Sequence, residues 1–304
     1  MKVLIIGFGS IGKRHCEVLS EFNSIEQVDL VTKQIIENRT CYKNLEEVKN
    51  INKYDYFVIA SETKKHYEQL IYLDNILKNK KIFCEKPLFE KKQDFKQSNN
   101  NKIFIGYVLR FHPLMQEFKN RLKNETIISA NIKCGQYLPN WRPDTDYRKS
   151  YSASQAKGGG VLLDLSHEID YAQWLFGKIE DIKSYQVKVS DLEIDSDDLT
   201  MLLGKTIYAT MINLSIDYIS KITHRKIIVE TLMSSFEVDL IKNRLNIIDK
   251  DGNTNLIEVK TLERNDMFRN MHRSIINNEN INSTLDEAMD IMNTISVIQG
   301  QNNG

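Results

Sequence analysis

Gly7-Phe8-Gly9-Ser10-Ile11-Gly12 follows a short apolar run at residues 3–6 and leads into a helical stretch at residues 11–22. A G-x-G-x-x-G set between strand and helix gives a tight turn, a close backbone approach and a helix N-terminus whose free N–H groups and positive dipole suit a pyrophosphate. The spacing predicts a dinucleotide cradle at Gly7, Gly9, Ser10, Ile11 and Gly12. The motif by itself is also compatible with a structural glycine turn.

Outward from this loop, residues 28–32, 56–60, 82–84 and 103–107 are further short apolar segments separated by polar helical ones. That alternation predicts a doubly wound α/β domain with a parallel sheet over residues 1–108. After Pro113 the rhythm changes. Residues 187–189, 199–203, 207–214, 226–232, 235–240 and 245–248 read as strands joined by short turns such as Gly204-Lys205. Residues 109–304 are therefore expected to form an α+β domain with a largely antiparallel open sheet. Two late helices, at 266–277 and 284–298, close the chain, the second with Ser283 or Thr284 as N-cap and Glu287 at capping-box distance.

At roughly 150 residues per domain, a chain of 304 residues supports two domains. Hydrophobic residues at 41% and charged residues at 27% are ordinary for a globular protein. Lys+Arg and Asp+Glu balance at 41 each, which argues against nucleic acid or an anionic membrane as partner. Four cysteines without C-x-x-C spacing read as reduced thiols of a cytoplasmic protein, and no metal site is expected. No apolar run approaches the ~18 residues of a membrane span. The opening run is broken by glycines and followed by Lys13, Arg14 and His15, so it is expected to be structure rather than a signal peptide.

The acid that binds ribose belongs about 20 residues past the glycines, at the tip of the second strand. Thr32-Lys33 stands there instead, and Asp29 lies inside the strand, so the cofactor expected is NADP or NAD with NADP favoured. Lys33 is equally readable as a solvated loop lysine. Glu85-Lys86-Pro87 ends the strand at 82–84, at the sheet edge where open α/β folds bind ligands. A lysine beside a nicotinamide cation would exchange protons near neutral pH; the alternative is a surface ion pair before a turn. Gly158-Gly159-Gly160 precedes a helix expected over 161–176, with Leu162, Leu165, Ile169, Ala172 and Phe176 on one face. Asp164, His167 and Tyr171 share the other face, either acting on one ligand or simply solvated.

The ordered set of the glycine loop, Ala60-Ser61-Glu62-Thr63 with His66, Glu85-Lys86-Pro87, residues 106–113, Trp141-Arg142-Pro143, and Gly158-Gly159-Gly160 with Asp164 and His167 resembles the Gfo/Idh/MocA oxidoreductases. The resemblance implies an NAD(P)-dependent oxidoreductase acting on a secondary alcohol or ketone of a sugar or sugar nucleotide. It implies Lys86 as the main proton-transfer residue before a cis Pro87, with Asp164 and His167 assisting in the substrate pocket. Ser61, Thr63, His66 and Glu85 would border the cofactor, and Trp141 and Arg142 would reach it from the second domain; Ser61-Glu62 replaces the family's usual Asn or Pro after Ala60. Residues 138–148 resemble a subgroup of bacterial surface-sugar enzymes, including those of nonulosonic acids. Tyr147 and Arg148, with Arg110 and Tyr171, are the expected substrate contacts. A redox-assisted glycosidase and a catalytically silent cofactor-binding regulator are the competing readings.

The strands within 199–214 and 226–248 lack intervening helices. Ile207, Ala209, Met211 and Asn213 alternate with Tyr208, Thr210, Ile212 and Leu214, leaving neither face clearly polar. Such a face is expected to pair with its copy in a homodimer or homotetramer, unless the helices after Asp266 fold over it.

Overall fold

In the computed structural model, which describes residues 1–301, strands and helices alternate from the start. They run β1 (Lys2–Ile6), α1 (Ser10–Ser20), β2 (Gln27–Val31), β3 (Cys41–Tyr42), β4 (Tyr56–Ile59), α2 (His66–Ile76), β5 (Lys81–Cys84) and β6 (Lys102–Ile105). Next come α3 (Pro113–Leu122), β7 (Ile127–Gly135), α4 (Val161–Asp164) and α5 (His167–Phe176). Seven strands follow: β8 (Ile179–Val187), β9 (Leu199–Thr206), β10 (Met211–Asp217), β11 (His224–Thr231), β12 (Ser234–Asp239), β13 (Arg244–Asp249) and β14 (Thr254–Glu258). The chain closes with α6 (Asp266–Asn277), β15 (Ser283–Thr284) and α7 (Leu285–Gln301). Among the described residues no helix is long and apolar enough to cross a membrane.

Packing groups the chain into two units, Met1–Phe111 with Glu263–Met289, and His112–Leu262 with the described residues from Asp290 on. Residues 263–289, read from sequence as part of the second domain, thus pack with the first. The reason is chemical: Phe268, Met271 and Ile275 of α6 enter the same core as Val3, Ile5, Val18 and Leu19. The strand β15 also pairs antiparallel with β6, Ser283 opposite Ile105.

The first unit holds a seven-stranded sheet in the order β15-β6-β5-β4-β1-β2-β3, parallel except for β15. All four residues of β4 are buried, as a parallel strand covered on both faces requires. Each buried Val, Ile or Leu side chain contributes roughly 1.5–3 kcal/mol. At the carboxyl edge the backbone is crowded. A Cβ on Gly7, whose φ is +98°, would lie 2.6 Å from the Ala60 carbonyl oxygen, and one on Gly12 would lie 2.2 Å from that of Gly7. Near the end of the chain, Thr284 and Glu287 form the expected capping box, the Thr284 N–H donating to Oε2 at 2.9 Å and the Glu287 N–H to the Thr284 hydroxyl at 3.3 Å. The same carboxylate accepts from Nη1 of Arg110 at 3.1 Å on both oxygens, so it caps α7 and neutralises a buried guanidinium.

The second unit holds an eight-stranded sheet in the order β14-β13-β12-β11-β7-β10-β9-β8, antiparallel except for the β10–β7 pair. Residues alternate cleanly across it. Ile132, Leu202, Leu214, Ile227, Val229 and Val238 are buried on one face. On the other, Tyr185, Leu203, Met211 and Leu256 are more than half exposed.

Several expected elements are displaced. The strand read at 187–189 overlaps β8 only at its last residue, Val187, and β7 and β14 stand where no strand was read. Gly204-Lys205 lies inside β9, and residues 207–210 form the turn rather than a strand. The Thr206 hydroxyl accepts from the N–H groups of Tyr208 and Thr210, and Ala209 takes a φ of +67°, which reverses the chain there. The helix expected over 161–176 breaks at Leu165-Ser166 into α4 and α5.

Gly12→Ala replaces a residue inside a helix, where alanine would ordinarily gain about 1 kcal/mol. The 2.2 Å approach to a carbonyl oxygen reverses the sign. We expect Gly12→Ala to lower unfolding free energy by about 1–3 kcal/mol. Gly9→Ala, with nothing within 4 Å of its Cβ, should stay within about 0.5 kcal/mol of the parent, both read by urea denaturation.

Candidate active site

In the first unit, α1 begins at Ser10 with Gly9 as its N-cap, no side-chain cap and no acidic residue in its first turn. The free N–H groups and positive dipole of the helix end are thus available to an anion. Gly9, with open space where a Cβ would be, leaves the backbone bare beside Ser10 and Ile11. This cradle fits a dinucleotide pyrophosphate. At the tip of β2 the Thr32 hydroxyl accepts from the Gln34 N–H at 3.2 Å, the Gln34 amide donates to the Phe8 carbonyl at 3.3 Å, and Lys33 is exposed. Gln34, which sequence reading passed over, thereby ties this tip to the glycine loop. Asp29 is buried within β2, where it accepts from the Tyr54 hydroxyl and, at 2.8 Å, from Gln27.

The loops after β4 and β5 are tied to each other. Ser61 donates through its hydroxyl to Gln69 at 2.7 Å. His66 is buried between two carbonyls, Pro87 at 3.1 Å from Nδ1 and Ser61 at 3.2 Å from Nε2. Burial pushes its imidazole pKa down, against the pull of those carbonyls. Thr63 opens the turn before α2 and is half-buried.

Glu85 and Lys86 lie directly past β5, and the Lys86-Pro87 bond is cis. The Glu85 carboxylate is buried. It accepts from the Lys86 N–H at 3.1 Å and contacts His15 Nε2 at 2.8 Å. It fills the space that Gly106 leaves, where a Cβ would be 3.0 Å from Oε2. Lys86 itself is half-buried. Arg110 is buried and its Nη1 is engaged by Glu287 in the same unit.

In the second unit, Asp164 is buried at the end of α4. Its Oδ2 accepts from the Ser152 hydroxyl at 2.6 Å and the Tyr218 hydroxyl at 2.5 Å. Burial and this carboxylate hold the Tyr218 and Tyr151 phenols well above the usual range. The glycine run makes room for this arrangement: a Cβ on Gly159 would meet the Tyr151 carbonyl at 2.1 Å, and one on Gly160, at φ +121°, the Asp197 carboxylate at 2.1 Å. Trp141 packs edge-on against Tyr218 at 5.1 Å and donates to the Gln136 carbonyl, while Arg142 is exposed. His167 opens α5 and is half-buried.

Of the face shared by Asp164, His167 and Tyr171, Asp164 and Tyr171 are buried and His167 is half-buried, so it is not simply solvated, and Glu168 and Asp170 lie inside as well. Glu168 pairs with Arg225 Nε at 2.8 Å, and the Tyr171 hydroxyl points to Glu168 at 3.5 Å, so Tyr171 shares a partner with Arg225. Arg148 forms a double contact with Asp146 and a third with Glu193 at 3.0 Å, and Tyr147 accepts from the Glu193 N–H at 3.3 Å. Ser152, Tyr218, Gln34 and His15 were not found by sequence reading. Each acts through a hydrogen bond to a site residue or to the loop around it, which no local motif encodes.

Comparison with known proteins bears on both units. Residues 1–100 match the family described as "Oxidoreductase family, NAD-binding Rossmann fold", and residues 126–229 match "GFO/IDH/MocA C-terminal domain". An uncharacterized oxidoreductase of Synechocystis sp. is 26% identical over 148 residues, which span 46% of this chain and 39% of that protein's length. Among solved structures, levoglucosan dehydrogenase in complex with NADH superposes with a TM-score of 0.82 at 14% identity, covering 99% of this chain and 96% of that one. UDP-N-acetylglucosamine 3-dehydrogenase from Acidithiobacillus ferrooxidans gives 0.77 at 13% identity, covering 99% and 97%. An oxidoreductase from Agrobacterium radiobacter in complex with NAD+, L-tartaric acid and magnesium gives 0.81 at 11% identity, covering 100% and 96%. These likenesses speak for the fold. With the first unit matched to an NAD-binding Rossmann domain and the second to its partner domain, the chain belongs to the Gfo/Idh/MocA family of oxidoreductases.

Proposed function

We propose that the protein is an NAD(P)-dependent dehydrogenase or reductase acting on a secondary alcohol or ketone of a sugar or sugar nucleotide, with Lys86 as its proton shuttle. The observation that carries this reading is the placement of Lys86 at the carboxyl edge of the parallel sheet, beside a Glu85 carboxylate that accepts its main-chain N–H at 3.1 Å. In open α/β sheets that edge is where ligands and reacting groups gather. Bound nicotinamide dinucleotide supplies hydride chemistry. The task left to the chain is the hydroxyl proton, which a half-buried lysine is suited to give and take. The first unit holds the dinucleotide through Gly7, Gly9, Ser10, Ile11 and Gly12, with Ser61, Thr63, His66 and Glu85 bordering it. In the second unit Asp164 and His167 assist proton transfer, Trp141 and Arg142 serve the cofactor, and Tyr147 and Arg148 serve the substrate. The sugar class is supported by relatives of the same fold that are named for levoglucosan and for UDP-N-acetylglucosamine.

NADP is the favoured cofactor. The exposed Lys33 ammonium and the Thr32 hydroxyl stand at the tip of β2, and Asp29, the nearest carboxylate in the strand, is buried and already bonded. The open face of the second sheet, with Tyr185, Leu203, Met211 and Leu256 exposed, supports a homodimer or a tetramer of two dimers.

Lys86→Ala should lower kcat by about 10² to 10⁴ on whichever sugar a substrate panel identifies, with cofactor affinity nearly intact. His167→Ala should cost less. Near-normal turnover of the Lys86 variant would remove the shuttle assignment. In calorimetric titration NADP(H) should bind at least as tightly as NAD(H); a preference for NAD(H) above roughly tenfold, about 1.4 kcal/mol, would reverse the reading of Thr32-Lys33. Light scattering at micromolar concentration should give a dimer or larger mass, and a strictly monomeric mass would exclude pairing through the sheet.

A further inference from the structure

Three buried groups of the first unit that the proposed chemistry does not use form an unbroken chain leading to Glu85. The Tyr56 hydroxyl on β4 lies 2.9 Å from His272 Nδ1 on α6, His272 Nε2 lies 2.8 Å from His15 Nδ1 on α1, and His15 Nε2 lies 2.8 Å from Glu85 Oε1 past β5. Tyr56, His15 and His272 are fully buried. Their walls are rings: Phe83 lies 5.1 Å from His15 and 5.6 Å from His272, and Phe268 lies 5.6 Å from His15.

Donor accounting fixes the direction. A buried phenol must place its one hydrogen on an acceptor, and among the described residues the partner of Tyr56 is His272. With Nδ1 accepting, His272 carries its hydrogen on Nε2 and donates to His15 Nδ1. His15 then carries its hydrogen on Nε2 and donates to the Glu85 carboxylate. Burial holds the His272 imidazole well below the usual range, which agrees with a single ring hydrogen there. Aligned bonds of this kind polarise one another in a dry interior.

We propose that Tyr56, His272 and His15 are positioning residues that deliver a one-way hydrogen-bond chain to Glu85, so that the carboxylate is held on the Lys86 main chain and the proton-exchange behaviour of Lys86 depends on α6. The proposal rests on Lys86 being the shuttle only for its catalytic meaning. His15 belongs to the cradle helix α1 and Glu85 adjoins Lys86, so one carboxylate spans the two functional segments. Without the His272 donor, His15 Nδ1 loses its partner, the His15 bond to Glu85 loses the polarisation that the chain supplies, and the carboxylate is less firmly held and can turn toward the Lys86 ammonium. Arg14 on α1, Cys84 on β5, His66 on α2 and Tyr56 itself also feel the Glu85 charge.

The test has two arms on the full chain. Nitrogen-15 NMR of the unmodified protein at neutral pH should show His15 and His272 each protonated on Nε2 alone; a hydrogen on His272 Nδ1, or two on His15, overturns the chain's direction. Competitive acetylation read by mass spectrometry gives the pH midpoint of Lys86 reactivity, with exposed Lys33 as internal reference. His272→Phe keeps a ring in the dry pocket but donates nothing, and should raise the Lys86 midpoint by about half a pH unit or more while Lys33 is unmoved. His272→Gln, whose amide can donate to His15, should restore it. An unmoved or lowered Lys86 midpoint in folded His272→Phe overturns the positioning role. Neither arm counts turnover, so an active Lys86→Ala would sink the shuttle reading and leave this one standing.

Discussion

Backbone meets backbone at the carboxyl edge of the parallel sheet. The Gly7 carbonyl, the start of α1 and the Ala60-Ser61 peptide approach so closely that neither Gly7 nor Gly12 has room for a Cβ. This contact brings the N-terminus of α1 down onto the ends of β1 and β4 and leaves its first N–H groups without a side-chain cap. The helix then carries His15 inward, against Phe83 and within reach of Glu85. A wider turn at the glycines would lift α1 from the sheet, and both the anion cradle and the hold on Glu85 would go with it.

The second unit rests on a different constraint, that of buried carboxylates given donors. Asp164 has Ser152 and Tyr218, Glu168 has Arg225, and Asp198 accepts the N–H groups of Val189 and Ser190, while the half-buried Asp197 accepts that of Leu162 at 3.0 Å. A buried charge left unpaired costs several kcal/mol, so each of these partners is a structural requirement. Burial raises the Asp197 carboxyl pKa despite its hydrogen bonds. The helix break at Leu165-Ser166 separates Asp164 from Glu168, and the two carboxylates have separate partners.

Parallel strands were the most legible part of the sequence, because burial on both faces writes a continuous apolar run. β1, β2, β4, β5 and β6 all fall within two residues of their expected bounds, and α6 falls on them. β7 was not legible: Asn131 and Lys133 are exposed between buried Ala130, Ile132 and Cys134, and its partners lie far along the chain. β14 buries almost nothing and so leaves no pattern. Gly204 misled because glycine usually marks a turn, whereas here a Cβ would meet Ile179 across the sheet at 2.6 Å. In the site, motifs exposed the glycine cradle and Glu85-Lys86-Pro87. The link between His15 and His272 spans 257 positions, a separation at which periodicity carries no signal.

The interleaving of the two units sets an order on synthesis. β6 cannot pair with β15 until Ser283 and Thr284 have been made, by which point every strand of the second sheet has already emerged. Conversely, β7, the inner strand of that second sheet, waits for β10 and β11, more than seventy residues downstream. Until those partners arrive its N–H and C=O groups stay open on both sides, an invitation to wrong pairing. Non-local closure of this kind slows folding. The growing chain therefore carries two unfinished sheets at once, and the first to begin is the last to be completed.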